Sequence, residues 1–98
     1  MADSKQTARQ IVARLPEILT SAVNVFGLSL INGKTTFKCS FDPDFGVDTV
    51  CVYVDHEEIS WRIKSSNDVH KQPLDGNDPI ARAAKGIAHV LQQFSSSV

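Results

Sequence analysis

The chain has 98 residues, 42% of them hydrophobic, and its formal net charge is −1 at pH 7. This length and hydrophobic content predict a single compact domain, residues 1–98, that forms a core without disulfides or metals. The near-neutral charge excludes a strong overall attraction to nucleic acid or to anionic membranes, and without a run of about 18 apolar residues we expect no transmembrane helix.

The first ten residues, MADSKQTARQ, lack the apolar region of a signal peptide. Two cysteines without a secretion signal are typical of a reducing compartment. We therefore expect a cytoplasmic protein with no membrane partner. Residues 1–3 and 95–98 are expected to be frayed.

Residues 4–23 have the spacing of an amphipathic helix, and the apolar stripe keeps its phase as far as Phe26. Asp3 or Ser4 can cap the start of this helix, and Pro16 predicts a kink because it removes one backbone donor. The stripe consists of Ala8, Ile11, Val12, Leu15, Ile18, Leu19, Ala22, Val23 and Phe26.

Asn32-Gly33 separates two strand-like runs and predicts a hairpin with a two-residue type I′ turn. In that register Leu30 faces Thr35, Leu28 faces Phe37 and Phe26 faces Cys39, so that one face is almost entirely apolar. The opposite face is polar and holds Ser29, Lys34, Thr36, Lys38 and Ser40.

A second hairpin turns at His56-Glu57 and pairs Val54 with Ile59, Val52 with Trp61, and Val50 with Ile63. Trp61 is thus predicted in the core. The other face of this hairpin holds Thr49, Cys51, Tyr53, Glu58, Ser60, Arg62 and Lys64.

The connection between the hairpins, FDPDFGVD at residues 41–48, contains the letters DFG and three closely spaced aspartates. A kinase loop is excluded because the chain is too short and has no Gly-rich or catalytic loop. An EF-hand needs further ligands and a distal Glu. We interpret residues 43–46 as a four-residue turn that pairs Cys39 with Val50 and Phe37 with Val52.

Residues 65–77 are rich in turn formers and predict a polar loop. The following segment predicts a helix with Asp78 as N-cap and Pro79 at its first position. Gly86 inside this helix costs about 1 kcal/mol relative to Ala, so we expect it to permit a close backbone contact. The predicted buried stripe is Ile80, Ala83, Ala84, Ile87, Val90, Leu91 and Phe94.

These elements predict an α+β fold of order α-β-β-β-β-α, an antiparallel four-stranded meander with the N- and C-terminal helices packed on one face. The order resembles that of the double-stranded-RNA-binding domain, which has a helix, three strands and a helix. In that family a lysine cluster at the start of the second helix grips phosphates, whereas here the matching turn has only Arg82 and Lys85 behind the acidic Asp78. The resemblance is confined to topology and assigns no family.

No residue pattern predicts an enzyme. Cys51 and His56 lack a third group that would orient the histidine, and the histidines at 56, 70 and 89 lack the spacing of metal ligands. We therefore expect no catalytic residue, no cofactor and no metal.

The outer sheet face combines basic groups with a single aromatic residue, Tyr53, and the strand at 26–31 carries no charge. Uncharged edge strands invite strand addition. We predict a non-enzymatic protein-binding or adaptor domain that self-associates as a homodimer; its size is also typical of phage or mobile-element accessory proteins that inhibit a host factor. The alternative is a nucleic-acid-binding module that uses the basic outer sheet face or the C-terminal helix. The predicted partner-binding residues are Ser29, Ile31, Lys34, Lys38, Tyr53, Arg62 and Lys64.

Overall fold

A computed structural model describes residues 4–19, 23–41, 49–64 and 66–95. The elements are α1 (Ser4–Ile18), β1 (Asn24–Ile31), β2 (Lys34–Ser40), β3 (Val50–Val54), β4 (Glu58–Ile63), β5 (Val69–Pro73) and α2 (Pro79–Ser95). The strands form one antiparallel sheet in the order β1-β2-β3-β4-β5. The predicted α+β architecture with a helix at each end is confirmed.

The sheet has five strands rather than four, because the predicted polar loop at 65–77 contains β5. β5 pairs with β4 and places His70 opposite Trp61, where the two rings stack with centroids 6.1 Å apart. Its sequence, VHKQP, lacks an apolar alternation because four of its five residues are exposed.

The central registers are those predicted. Phe37 lies opposite Val52 and Cys39 opposite Val50, and Val52 lies opposite Trp61. The turn predicted at 43–46 lies outside the described residues.

β1 differs from the prediction over its first half. Leu30 lies opposite Thr35, but the pairing shifts between Phe26 and Ser29, where Gly27 has a φ of 68°. This bulge places Val25, not Phe26, opposite Cys39. Phe26 therefore lies on the outer face, because a one-residue shift reverses the direction of each side chain.

α1 ends at Ile18 instead of continuing to residue 23. Pro16 is accommodated in the final turn of α1.

Ser4, the first residue of α1, is buried and forms hydrogen bonds outside the helix. Its hydroxyl donates to the carbonyl of Gly33 at 2.8 Å and accepts from the hydroxyl of Thr35 at 2.7 Å, since a carbonyl can only accept. The start of α1 is thereby tied to the β1–β2 turn. Asp3, the alternative cap, lies outside the described residues.

The core lies between the sheet and the two helices, and both helices pack on the same sheet face. It is formed by fully or almost fully buried side chains that include Ala8, Ile11, Leu15, Phe37, Val52, Trp61, Ala84, Ile87 and Leu91.

α2 begins as predicted, with Asp78 Oδ1 accepting from the amide of Ala81 at 3.2 Å. Ile80 is only half-buried, and the side chain of Phe94 lies outside the described residues. Ser95, expected to be frayed, belongs to α2, whereas residues 1–3 and 96–98 are not described. Neither of the two described helices is long and apolar enough to cross a membrane.

Candidate partner-binding edge

β1 forms one edge of the sheet, and in the described part of the chain its only strand partner is β2. Four large hydrophobic side chains are exposed in the described ranges, and three belong to β1: Leu28 is 43% exposed, Leu30 53% and Ile31 65%. Leu28 and Leu30 were predicted in the core. That prediction is wrong because β1 lies at the margin of the sheet, where the helices cover it incompletely.

The turn beside β1 determines which backbone groups face outward. Asn32 and Gly33 have φ values of 54° and 78°, so the two-residue type I′ turn forms as predicted. Ile31 pairs with Lys34 across the turn. In a hairpin with a two-residue turn this flanking pair is a hydrogen-bonded pair, and the bonding then alternates along the ladder. It follows that the N–H and C=O of Leu30 point away from β2, toward the open side of the sheet.

A groove of about 160 Å³ runs between this edge and α1. Leu28 and Leu30 form its apolar wall, while Lys5 and Arg9 line it from α1. Both basic residues are exposed, and neither makes an ion pair with any described residue. The groove therefore combines an apolar wall with two cations that have no carboxylate partner in the described ranges.

The seven sequence-predicted binding residues lie on or beside the sheet face opposite the helices. Five are exposed, namely Ser29, Ile31, Lys34, Lys38 and Lys64, and two are half-buried, namely Tyr53 and Arg62. The structure thus places on one face the residues that the strand alternation had grouped.

Several of these residues already have partners within the chain. Lys34 Nζ lies 3.9 Å from Asp55 Oδ2. Arg62 Nη1 donates to the carbonyls of Lys64 and Ser66 at 3.3 Å each. A hydrogen bond with Tyr53 is the largest cause that raises the pKa of Arg62 above its usual value.

The outer face is less uniformly solvated than predicted. By strand alternation three small side chains point to this face and yet are almost fully buried: Ser40 is 0% exposed, Thr49 1% and Cys51 5%. Cys51 lies between Lys38 and Arg62 on the neighbouring strands, and long side chains on both sides reduce its access to solvent.

The structure adds residues to this face that sequence reasoning missed. Phe26 lies there because of the bulge, and β5 contributes Lys71 and the 48%-exposed Val69. The glycine between Phe26 and Leu28 is the sequence signal that could have revealed the bulge.

The surface of α2, the other predicted nucleic-acid contact, has internal partners of its own. Arg82 donates to the carbonyl of Asp75, and His89 Nε2 lies 3.2 Å from Gln93 Nε2.

Of the groups considered for catalysis, His56 does have a group that orients it, contrary to the sequence prediction. His56 Nδ1 lies 2.8 Å from Asp55 Oδ1 on the β3–β4 turn, while Cys51 is buried within the sheet. Burial, with a smaller contribution from Cys51, raises the pKa of the Cys39 thiol to about 12, so Cys39 stays protonated at neutral pH. Among the described residues no three His, Cys, Asp or Glu side chains are grouped to hold a metal ion.

Comparisons with protein-family models, with curated proteins and with solved structures gave no match to this chain.

Proposed function

We propose that this chain is a small, non-enzymatic protein-binding domain that takes up a strand of its partner at the free edge of β1. The observation that carries the proposal is the coincidence of outward-facing Leu30 backbone groups with three exposed apolar side chains on the same uncharged strand. In strand addition the backbone supplies affinity, and the alternate side chains of the added strand supply specificity.

The two sheet edges differ in the protection that edges usually carry. β5 is short, with five residues, and it carries the charged Lys71 and ends at Pro73, which has no backbone N–H to offer an added strand. β1 is eight residues long and contains no charge. Its bulge at Gly27 is the one protective feature of this edge. The bulge ends before residues 29–31, which pair regularly next to the turn, and these are the residues that we assign to partner binding.

The cytoplasm is the proposed location. Both cysteines are free thiols in the structure, which agrees with a reducing compartment. An accessory role that inhibits a host factor would use the same edge.

Leu30→Pro tests the proposal because its N–H points away from β2. Proline removes that donor without breaking the β1–β2 ladder, and edge strands tolerate proline at such positions. Leu30→Ala is the matched control, since it removes the side chain and keeps the N–H. Binders selected from a random linear peptide library provide the ligands, and circular dichroism with thermal unfolding verifies the fold of each variant.

Leu30→Pro should weaken peptide binding by about tenfold more than Leu30→Ala does, the effect of losing one hydrogen bond of about 1–1.5 kcal/mol. Isothermal titration calorimetry measures both losses. Equal losses in two folded variants would contradict strand addition and leave only side-chain contact.

A nucleic-acid-binding module is the second candidate. The strands place four basic residues on the outer face against the single acidic Glu58, and Phe26 joins Tyr53 as a second aromatic side chain there. This candidate predicts anisotropy changes with labelled single-stranded RNA or DNA that fall steeply from 50 to 200 mM salt. Such binding should weaken in a Lys34→Gln, Lys38→Gln double variant and be unaffected by Leu30→Pro.

A further inference from the structure

A strand added to β1 would present alternate side chains to two different surroundings. On one side they lie beside Ile31 on the outer sheet face. On the other side they enter the groove, between Leu28 and Leu30 on the sheet and Lys5 and Arg9 on α1. The chemistry of the groove therefore selects every second residue of the added strand.

Lys5 and Arg9 suit a pair of carboxylates. They are four residues apart on α1, so they occupy the same helix face and are separated by a rise of about 6 Å. Alternate residues on one face of a strand are about 6.6 Å apart, a closely similar spacing. Lys5 also lies in the first turn of α1, which contains no acidic residue, and a negative charge is favoured at that end of a helix.

We propose that the occupant of the groove is an extended acidic segment of a different protein, with Glu or Asp at successive groove-facing positions and apolar residues at the intervening positions. Its carboxylates pair with Lys5 and Arg9. The aliphatic part of each Glu lies against Leu28 and Leu30, and the intervening apolar side chains cover Ile31. This proposal rests on the proposed strand addition and names the chemical class of the partner.

A second copy of this chain fits the groove less well. β1 contains no acidic residue, so a partner β1 would offer uncharged side chains to Lys5 and Arg9. Antiparallel pairing of two β1 strands would also place both α1 helices, each with its own Lys5 and Arg9, on the same side of the joined sheet. Charge therefore favours an acidic partner over the predicted homodimer.

Three blocked eight-residue peptides test the proposal: alternating Val–Glu, alternating Val–Gln and alternating Val–Lys, each with a fluorescent label. The Val–Glu peptide should bind at least about tenfold more tightly than Val–Gln, an increment that two charge-assisted contacts can supply, and Val–Lys should not bind. A Lys5→Gln, Arg9→Gln double variant should abolish the advantage of Val–Glu. The matched control, Lys71→Gln with Lys85→Gln, removes the same charge away from the groove and should retain the advantage.

The outcomes separate this proposal from the function on which it rests. Equal binding of Val–Glu and Val–Gln, sensitive to Leu30→Pro, would overturn the acidic occupant and leave strand addition standing. Val–Glu binding that needs Lys5 and Arg9 but ignores Leu30→Pro would overturn strand addition. If both charge-removal variants lost the advantage equally, the effect would be one of net charge, and the groove assignment would be wrong. A dimer seen by light scattering that Leu30→Pro dissociates, without peptide binding, would identify the occupant as a second copy.

Discussion

Gly86 lies on α2 directly against the indole ring of Trp61. A Cβ at position 86 would stand 2.4 Å from Cζ2 of Trp61, closer than real Cβ atoms approach a neighbour. Gly86 was predicted to permit a close backbone contact, and its partner in that contact is Trp61. Trp61 was predicted in the core, and its 6% exposure confirms this.

Gly86→Ala should destabilise the protein although alanine is the better helix former. The added methyl would clash with three atoms of the Trp61 ring, so we expect a cost near the upper end of the roughly 1–3 kcal/mol typical of overpacking, which exceeds the gain of about 1 kcal/mol in helix propensity. Urea unfolding of the variant measures the difference. In a Trp61→Phe background, which removes the ring carrying Cζ2, the same change should be neutral or stabilising. A Gly86→Ala protein that is about 1 kcal/mol more stable than wild type would contradict the packing described for α2.

Cys39 should make stability fall at high pH. The ordinary pKa of a cysteine is 9.0, and burial raises that of Cys39 to about 12. Between these values the unfolded chain releases the proton while the folded chain keeps it, so deprotonation favours unfolding. The contribution is fully present below pH 9 and is lost toward pH 12, at up to about 1.4 kcal/mol per pH unit.

Urea unfolding at pH 8, 9.5 and 10.5 compares wild type with Cys39→Val, in which all other titrating groups are retained. The stability of wild type relative to the variant should decrease as pH rises. A difference that stays constant over this range would show that Cys39 ionises equally easily in the folded and unfolded states.

Side-chain alternation predicted which residues belong to the core wherever the strand pairing is regular, as for Phe37, Val52 and Trp61. It failed at Phe26, because one glycine bulge reverses the faces of the residues before it. It also failed for the exposure of Cys51, since burial on a sheet face depends on the side chains of neighbouring strands. The position of a residue in the strand alternation specifies the sheet face to which its side chain points. It does not specify how much of that side chain the neighbouring side chains shield from solvent.

At the scale of elements, turn chemistry and hydrophobic period were sufficient for β2, β3, β4 and α2. β5 escaped prediction because an edge strand exposed on both faces needs no apolar alternation. Its presence moves the second edge from β4 to β5 and leaves β1 as the uncharged edge.

The end of α1 was misplaced for a related reason. The apolar residues after Leu19 keep a helical spacing in the sequence, yet Asn24 begins a strand. Val23 and Val25 also fit the two-residue period of a strand, and β-branched residues favour extended backbone. The sequence around residues 23–26 fits the period of a helix and that of a strand equally well, and pairing with β2 selects the strand.

At the scale of the whole molecule, the net charge of −1 conceals an uneven distribution. Basic side chains collect on the outer sheet face and beside the β1–α1 groove, and three of the eleven acidic residues, Asp42, Asp44 and Asp48, belong to the 41–48 connection. The sequence indicated an unguarded edge at 26–31. It could not reveal the groove, because the groove exists only where α1 packs beside β1.

Amide hydrogen exchange at β1, followed residue by residue by NMR, tests the central claim most directly. In the free protein Leu30 should exchange fast while Ser29 and Ile31, whose amides face β2, are protected. On addition of the Val–Glu peptide, Leu30 should become protected at least as well as its neighbours, because its N–H then donates to the added strand. A Leu30 amide already protected in the free monomer, or one that stays fast in a saturated complex, would contradict strand addition at β1.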